Sequence, residues 1–176
     1  MTVPAPPPPA SRVPFRVLFV CTGNICRSPL AEALFAHYVR EDGLAGRFEA
    51  DSAGLEGWHV GDPADPRTRR VGEGHGVPVP SLAREFHQRD FDRFDLILAM
   101  DRGHLAELQS RAPGTHRGKV RLMRDFDRAE NHGKDVPDPY YGGPEGFESV
   151  YRMLAVSCRA LLEILKDQVG AARPTV

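Results

Sequence analysis

Residues 15–32 read Phe-Arg-Val-Leu-Phe-Val-Cys-Thr-Gly-Asn-Ile-Cys-Arg-Ser-Pro-Leu-Ala-Glu, and no other stretch constrains the chain as much. An apolar run reads as a buried strand and ends at Cys21. Residues 22–28 then lead directly into a helical pattern opened by Pro29, a residue suited to a first helical turn. Strand, short loop and helix in that order place a thiol beneath backbone N–H groups that have no intrahelical partner. Such a loop holds an anion the size of phosphate. Arg27 follows the cysteine by six positions, and its planar fork suits two oxygens of that anion. The combination points to covalent phosphoryl transfer.

Cys-x5-Arg is a weak pattern alone, because three cysteines among many arginines produce it by chance. Its surroundings strengthen it. Gly23 lets backbone approach a ligand, and Asn24 is the next best residue for a left-handed conformation. Ser28 sets a hydroxyl beside the arginine. The bland alternative is a buried cysteine ending a core strand, with a surface arginine nearby.

With 176 residues the chain has room for one domain and a real core. A formal net charge of −1 gives no general attraction for nucleic acid or anionic membrane, so an anion must be bound locally. No apolar run approaches a membrane span, and the start lacks a basic segment followed by an apolar one. An odd number of cysteines without framework spacing fits a reducing cytoplasm.

Residues 3–14 hold six of the sixteen prolines and read as a polyproline-II or disordered tail over 1–14. The domain is expected over 15–168, with a flexible tail at 169–176. Strands are expected at Arg16–Val20, Phe48–Ser52, Asp95–Met100 and Lys119–Met123, and helices at Pro29–Arg40, Pro66–His75 and Gly103–Arg111. Arg124–Pro137 reads as a polar loop. The final helix carries a continuous apolar stripe through Phe147, Val150, Tyr151, Leu154, Cys158, Leu161, Leu162 and Leu165. Alternating strands and helices predict an α/β fold: a four-stranded parallel sheet with helices on both faces, doubly wound and Rossmann-like, with its ligand at the carboxyl edge.

The string Cys21-Thr22-Gly23-Asn24-Ile25-Cys26-Arg27-Ser28-Pro29 resembles the phosphate loop of the low-molecular-weight protein tyrosine phosphatases. Asp138-Pro139-Tyr140-Tyr141 resembles the family's second signature, and Asp51-Ser52-Ala53-Gly54 and Ala99-Met100-Asp101 resemble two further landmarks. The likeness runs from about Phe15 to Lys166. It implies the phosphatase I-like fold and hydrolysis of protein phosphotyrosine and small aryl phosphates.

The chemistry of such a reaction assigns roles. Helix N-terminal amides and the Arg27 cation favour the anionic sulfur of Cys21, the nucleophile that forms a phosphocysteine. Arg27 and the amides of Thr22, Gly23, Asn24, Ile25, Cys26, Arg27 and Ser28 stabilise charge on the non-bridging oxygens. Ser28 is expected to donate to the sulfur, and the resemblance pairs Asn24 with Ser52 as loop support. A poor leaving group needs a proton. The resemblance implies that Asp138, between Pro137 and Pro139, is the general acid and later the base toward water. Trp58, Tyr140 and Tyr141 are candidate pocket walls, with Tyr140 favoured over Tyr141. The resemblance also suggests Cys26 as a redox partner for Cys21; a small buried residue packing the loop is the equal alternative. Cys158 is expected in the core.

Two positions depart from the family pattern. Leu82 stands where many members have a histidine that supports the phosphate loop, and His104 stands where asparagine is common; His104 reads as surface. His59, His75, His87, His116 and His132 share no ligand spacing, so neither metal nor cofactor is expected. Arsenate reductase of the same fold needs two further cysteines on a mobile segment, and residues 80–95 contain none. In the protein-arginine phosphatase branch a threonine resembles the position of Ile25. A non-catalytic phosphotyrosine-binding module would lack the nucleophile or the acid, and a Cys21/Cys26 zinc site lacks a second ligand pair. The expected partner is a phosphotyrosine protein, a tyrosine kinase among the candidates, met by a monomer or weak dimer in the cytoplasm.

Overall fold

The computed structural model describes residues 13–171, so the proline-rich tail expected over 1–14 lies almost wholly outside the described residues. Strands β1 (Phe15–Cys21), β2 (Phe48–Gly54), β3 (Leu96–Ala99) and β4 (Val120–Leu122) form one parallel sheet in the order β2-β1-β3-β4. Helices α1 (Arg27–Glu41), α2 (Pro66–Gly74), α3 (Asp90–Arg93), α4 (Arg102–Arg111) and α5 (Pro144–Ala171) complete the frame. Helices cover both faces, as a sheet of continuous apolar strands requires.

Alternation along β1 sorts the core into two halves. Val17, Phe19 and Cys21 face a cluster with Leu34 and Phe35 of α1 and Leu154, Cys158 and Leu162 of α5. Leu18 and Val20 face the other, with Phe91 of α3 and Leu108 of α4. Every side chain of the predicted α5 stripe is buried except Tyr151, which packs against the first cluster. The helix runs on to Ala171 with Val169 buried, so the expected boundary at 168 falls inside it.

Element ends shift by small amounts. Helix α1 begins at Arg27, two residues before Pro29. The first N–H groups of a helix have no partner within it, so proline is tolerated at its third position. Strand β2 extends through Gly54 because each residue from Phe48 pairs with β1. Met123, expected at the end of the last strand, instead opens a 3-10 turn (Met123–Phe126), and the expected polar loop holds a second, Ala129–Asn131; Met123 and Phe126 are buried.

Strand order reverses between β1 and β3, and crevices for ligands open at such a reversal, beyond the carboxyl ends of the strands. Cys21 ends β1 and Asp101 follows β3, so both emerge there.

Candidate active site

The loop from Thr22 to Cys26 wraps the space above Cys21. Asn24 takes a left-handed backbone at φ +57°, the one non-glycine residue to do so among those described. Its side chain explains how the loop keeps that turn. Asn24 Nδ2 donates to Ser28 Oγ at 2.8 Å and to Ser52 Oγ at 2.9 Å, while its Oδ1 accepts the Arg84 amide at 3.0 Å. The two amide hydrogens are thereby used on two hydroxyls. Ser52 turns its own hydrogen toward Glu32 Oε2 at 2.5 Å, and Ser28 is left to direct its hydrogen at Cys21 Sγ, 3.0 Å away. Burial holds the Glu32 carboxyl above its ordinary range, opposed by the Ser52 hydroxyl.

Arg27 is 3% exposed and restrained through one nitrogen. Nη1 donates to Asp101 Oδ2 at 2.9 Å and to the Val136 carbonyl at 3.0 Å. Nη2 lies 3.8 Å from Asp138 Oδ2. The free edge of the guanidinium is thus presented beside the thiol and opposite a half-exposed carboxylate. Cys21, Thr22, Gly23, Ile25, Cys26, Arg27, Trp58, His59, Asp138, Tyr140 and Tyr141 line one cleft of about 420 Å³. Asn24, Ser28 and Ser52 lie behind it, buried. Trp58 is 72% exposed, Tyr140 40% and Tyr141 91%, so Tyr140 is the more enclosed tyrosine. Tyr140 and Tyr141 meet edge to face with ring centres 5.0 Å apart.

Cys26 is buried in the same loop. Burial, with the Asp65 carboxylate and the Cys21 sulfur adding to it, pushes its thiol up to about 12. Cys158 is fully buried on α5, as expected.

His104 corrects the sequence expectation: it is 7% exposed rather than on the surface. Its Nε2 lies 2.8 Å from Thr22 Oγ1, and its amide donates to Asp101 Oδ1, the N-cap of α4. Burial pulls the imidazole below its ordinary value, with Asp101 opposing. Leu82, at the departing family position, is exposed, and the loop takes its support from the Arg84 backbone instead. Four residues escaped the sequence reading of roles: Asp101, His104, Glu32 and Arg67. The Ala-Met-Asp landmark marked Asp101 without its function. Glu32 and Arg67 carry no local signal beyond their residue type, and the only signal for His104 is its helical spacing from Leu108.

The chain matches the family described as low molecular weight phosphotyrosine protein phosphatase over residues 16–171. A low molecular weight protein-tyrosine-phosphatase of Streptomyces coelicolor is 51% identical over 158 residues, spanning 88% of this chain and 96% of that one. The structure of a protein tyrosine phosphatase from Entamoeba histolytica, with Hepes in its active site, is similar at TM-score 0.83 and 40% identity, over 87% of this chain and 97% of that chain. More distant is the arginine phosphatase YwlE, solved with a phosphorylated active-site serine, at TM-score 0.78 and 29% identity over 86% of this chain and 96% of its own. Sheet order, the cradle at the end of β1 and sequence likeness along nearly the whole domain agree, and the chain belongs to the low molecular weight phosphotyrosine protein phosphatases, a family of hydrolases acting on phosphoproteins.

Proposed function

We propose that the protein hydrolyses phosphotyrosine in proteins through a phosphocysteine. The observation that carries this assignment is the convergence of Cys21, Arg27 and Asp138 on one cleft, with Asp138 Oδ2 3.8 Å from Arg27 Nη2. Cys21 sulfur attacks phosphorus in line, and the bond from phosphorus to the phenolic oxygen breaks as Asp138 gives that oxygen its proton. Amides of residues 22–28 and the free edge of Arg27 take up charge on the three non-bridging oxygens. In the second step Asp138, now a carboxylate, accepts a proton from water as the water oxygen bonds to phosphorus. The sulfur leaves as an anion that the Ser28 hydroxyl receives at 3.0 Å. Phosphate and the starting enzyme result.

The aromatic rim of Trp58, Tyr140 and Tyr141 supports a planar phenyl ester. Ile25 lines the same cleft with an apolar side chain, where the arginine-phosphatase branch has a threonine, and this favours an aryl over a guanidinium phosphate. A reduced thiol nucleophile suits the cytoplasm, and a tyrosine kinase fits among the phosphoprotein substrates.

Cys21→Ser tests the nucleophile: p-nitrophenyl phosphate hydrolysis is expected to vanish while inorganic phosphate still binds, and full activity would refute the mechanism. Peptides bearing phosphotyrosine, phosphoserine or phosphoarginine, assayed beside arsenate reduction, are expected to be turned over in favour of phosphotyrosine. Preference for phosphoarginine or arsenate would overturn that choice.

A further inference from the structure

The loop that carries Asp138 is clamped on both sides. Upstream, Val136 donates its amide to Met100 at 2.8 Å and accepts Arg27 Nη1 at its carbonyl at 3.0 Å. Downstream, the Tyr140 carbonyl accepts Arg67 Nη1–H at 3.0 Å. The amide of the same Tyr140 donates to Asp138 Oδ1 at 3.1 Å. These two bonds fall on the peptide units before and after the Tyr140 Cα, so only the two backbone torsions of that residue separate the Arg67 clamp from the carboxyl. Pro137 and Pro139 remove φ freedom on either side of Asp138, which leaves few torsions between the two clamps.

Arg67 is well oriented for this. Its Nε and Nη2 meet Asp65 Oδ1 at 3.0 Å and Oδ2 at 2.9 Å, a fork-to-fork pair. Its guanidinium carbon lies 5.2 Å from the Tyr140 ring centre and 4.5 Å from that of Phe147 in the first turn of α5. Asp65 is 8% exposed, caps α2, and donates its backbone amide to the Ile25 carbonyl at 2.8 Å. A continuous path thus runs from Ile25 of the phosphate loop through Asp65 and Arg67 to Tyr140 and Asp138. The Arg67 hydrogen bonds hold the Asp65 carboxyl below its ordinary range, so the pair is ionic at neutral pH.

We infer that Arg67 is a positioning residue that registers the Asp138 carboxyl against the phosphate loop, and so controls protonation of the leaving group without touching the substrate. The inference rests on Asp138 being the general acid. Lysine cannot replace Arg67, because one ammonium cannot bind both carboxylate oxygens, reach the Tyr140 carbonyl and stack on two rings.

The test is a series of aryl phosphates of graded leaving-group basicity, hydrolysed by the full chain and by Arg67→Ala, Arg67→Lys and Asp138→Ala. For Arg67→Ala, kcat/KM for phenyl phosphate is expected to fall about tenfold, a fraction of what removing a general acid costs. A nitrophenol or polyfluorophenol ester, which needs little protonation, is expected to lose less than about twofold, and inhibition by inorganic phosphate is expected to stay within about twofold. Arg67→Lys is expected to fall with the alanine variant and supplies the same readout if that variant does not fold. Equal loss across leaving groups, or no loss, would overturn the inference. Asp138→Ala separates the two failures: if it shows leaving-group dependence and the Arg67 variants do not, only the role of Arg67 falls. If Asp138→Ala shows none, the acid itself is misassigned.

Discussion

His104 Nε2 sits 2.8 Å from the hydroxyl oxygen of Thr22, tying the first residue of the phosphate loop to helix α4. The imidazole Nδ1 is buried and faces Asp101 Oδ1 at 3.2 Å without hydrogen-bond geometry. Burial is the largest influence on this ring and disfavours its cation; Arg27 acts the same way, while Asp101, Glu107 and Asp138 oppose.

A pH dependence follows from that environment. The folded protein holds His104 below its ordinary value of 6.5, so the unfolded chain takes up the proton first as pH falls. The stability due to the neutral ring is complete above 6.5 and is lost as pH drops through the lower folded value. Melting temperatures recorded downward from pH 7 are expected to fall more steeply for the wild type than for His104→Asn, whose side chain does not titrate. Parallel curves would show that His104 is not the group responsible.

Asp101→Asn addresses the other end of the same turn. It removes the charge facing Arg27 Nη1 and leaves one amide oxygen where two carboxylate oxygens had accepted from that nitrogen and from the His104 amide. A hydrogen bond between charged groups contributes about 1.5–3 kcal/mol, and a loss of this order is expected in denaturant melts. A fork displaced by even part of an ångström misses the phosphate oxygens, so kcat/KM is expected to drop by about 10²-fold, with weaker inhibition by phosphate.

Gly54 ends β2 directly behind the phosphate loop. A Cβ there would meet the Thr22 carbonyl oxygen at 2.8 Å and the Gly23 carbonyl carbon at 3.0 Å, both backbone atoms. Gly54→Ala is therefore expected to cost about 1–3 kcal/mol of stability and to weaken phosphate binding as the loop shifts. Inhibition constants for phosphate measured beside the melting temperature check both effects.

The two loop cysteines are expected to differ in reactivity. With its thiol pushed up to about 12, Cys26 stays protonated near neutral pH, and its thiolate fraction rises tenfold with each pH unit until that value. Cys21 receives the Ser28 hydroxyl and opens onto the cleft. Iodoacetamide at pH 7–8 is expected to label Cys21 first and to leave Cys26 and Cys158 unmodified in the folded protein. Peptide mapping by mass spectrometry reads the order, and early labelling of Cys26 would contradict it.

Much of the fold was legible because its signals are local. The apolar runs of β1 and β3 and the α5 stripe are each read within one element, and Cys21, Asn24, Arg27 and Ser28 fall within one short stretch from the end of β1 to the start of α1. The missing parts depend on partners far along the chain. Arg67 meets the Tyr140 carbonyl 73 positions away, and His104 meets Thr22 across 82. Nothing in a short helix rich in arginine says which one turns inward. For His104 a signal existed: it stands four residues before Leu108, and those two are the buried positions of α4. Reading a histidine as polar concealed that stripe. Leu82 marked a departure from the family pattern, but the support that the backbone of Arg84 supplies is a contact that no side-chain comparison reveals.

Strand β1 lies in the middle of the sheet, and from Val17 to Val20 each of its residues is 0% exposed. The nucleophile therefore hangs from the part of the molecule expected to open last. Fraying at the ends of α5 or at the β4 margin does not reach it, so the seat of the thiol is expected to be lost only with global unfolding, and the amides of Val17–Val20 are expected to be among the slowest in the protein to exchange hydrogen.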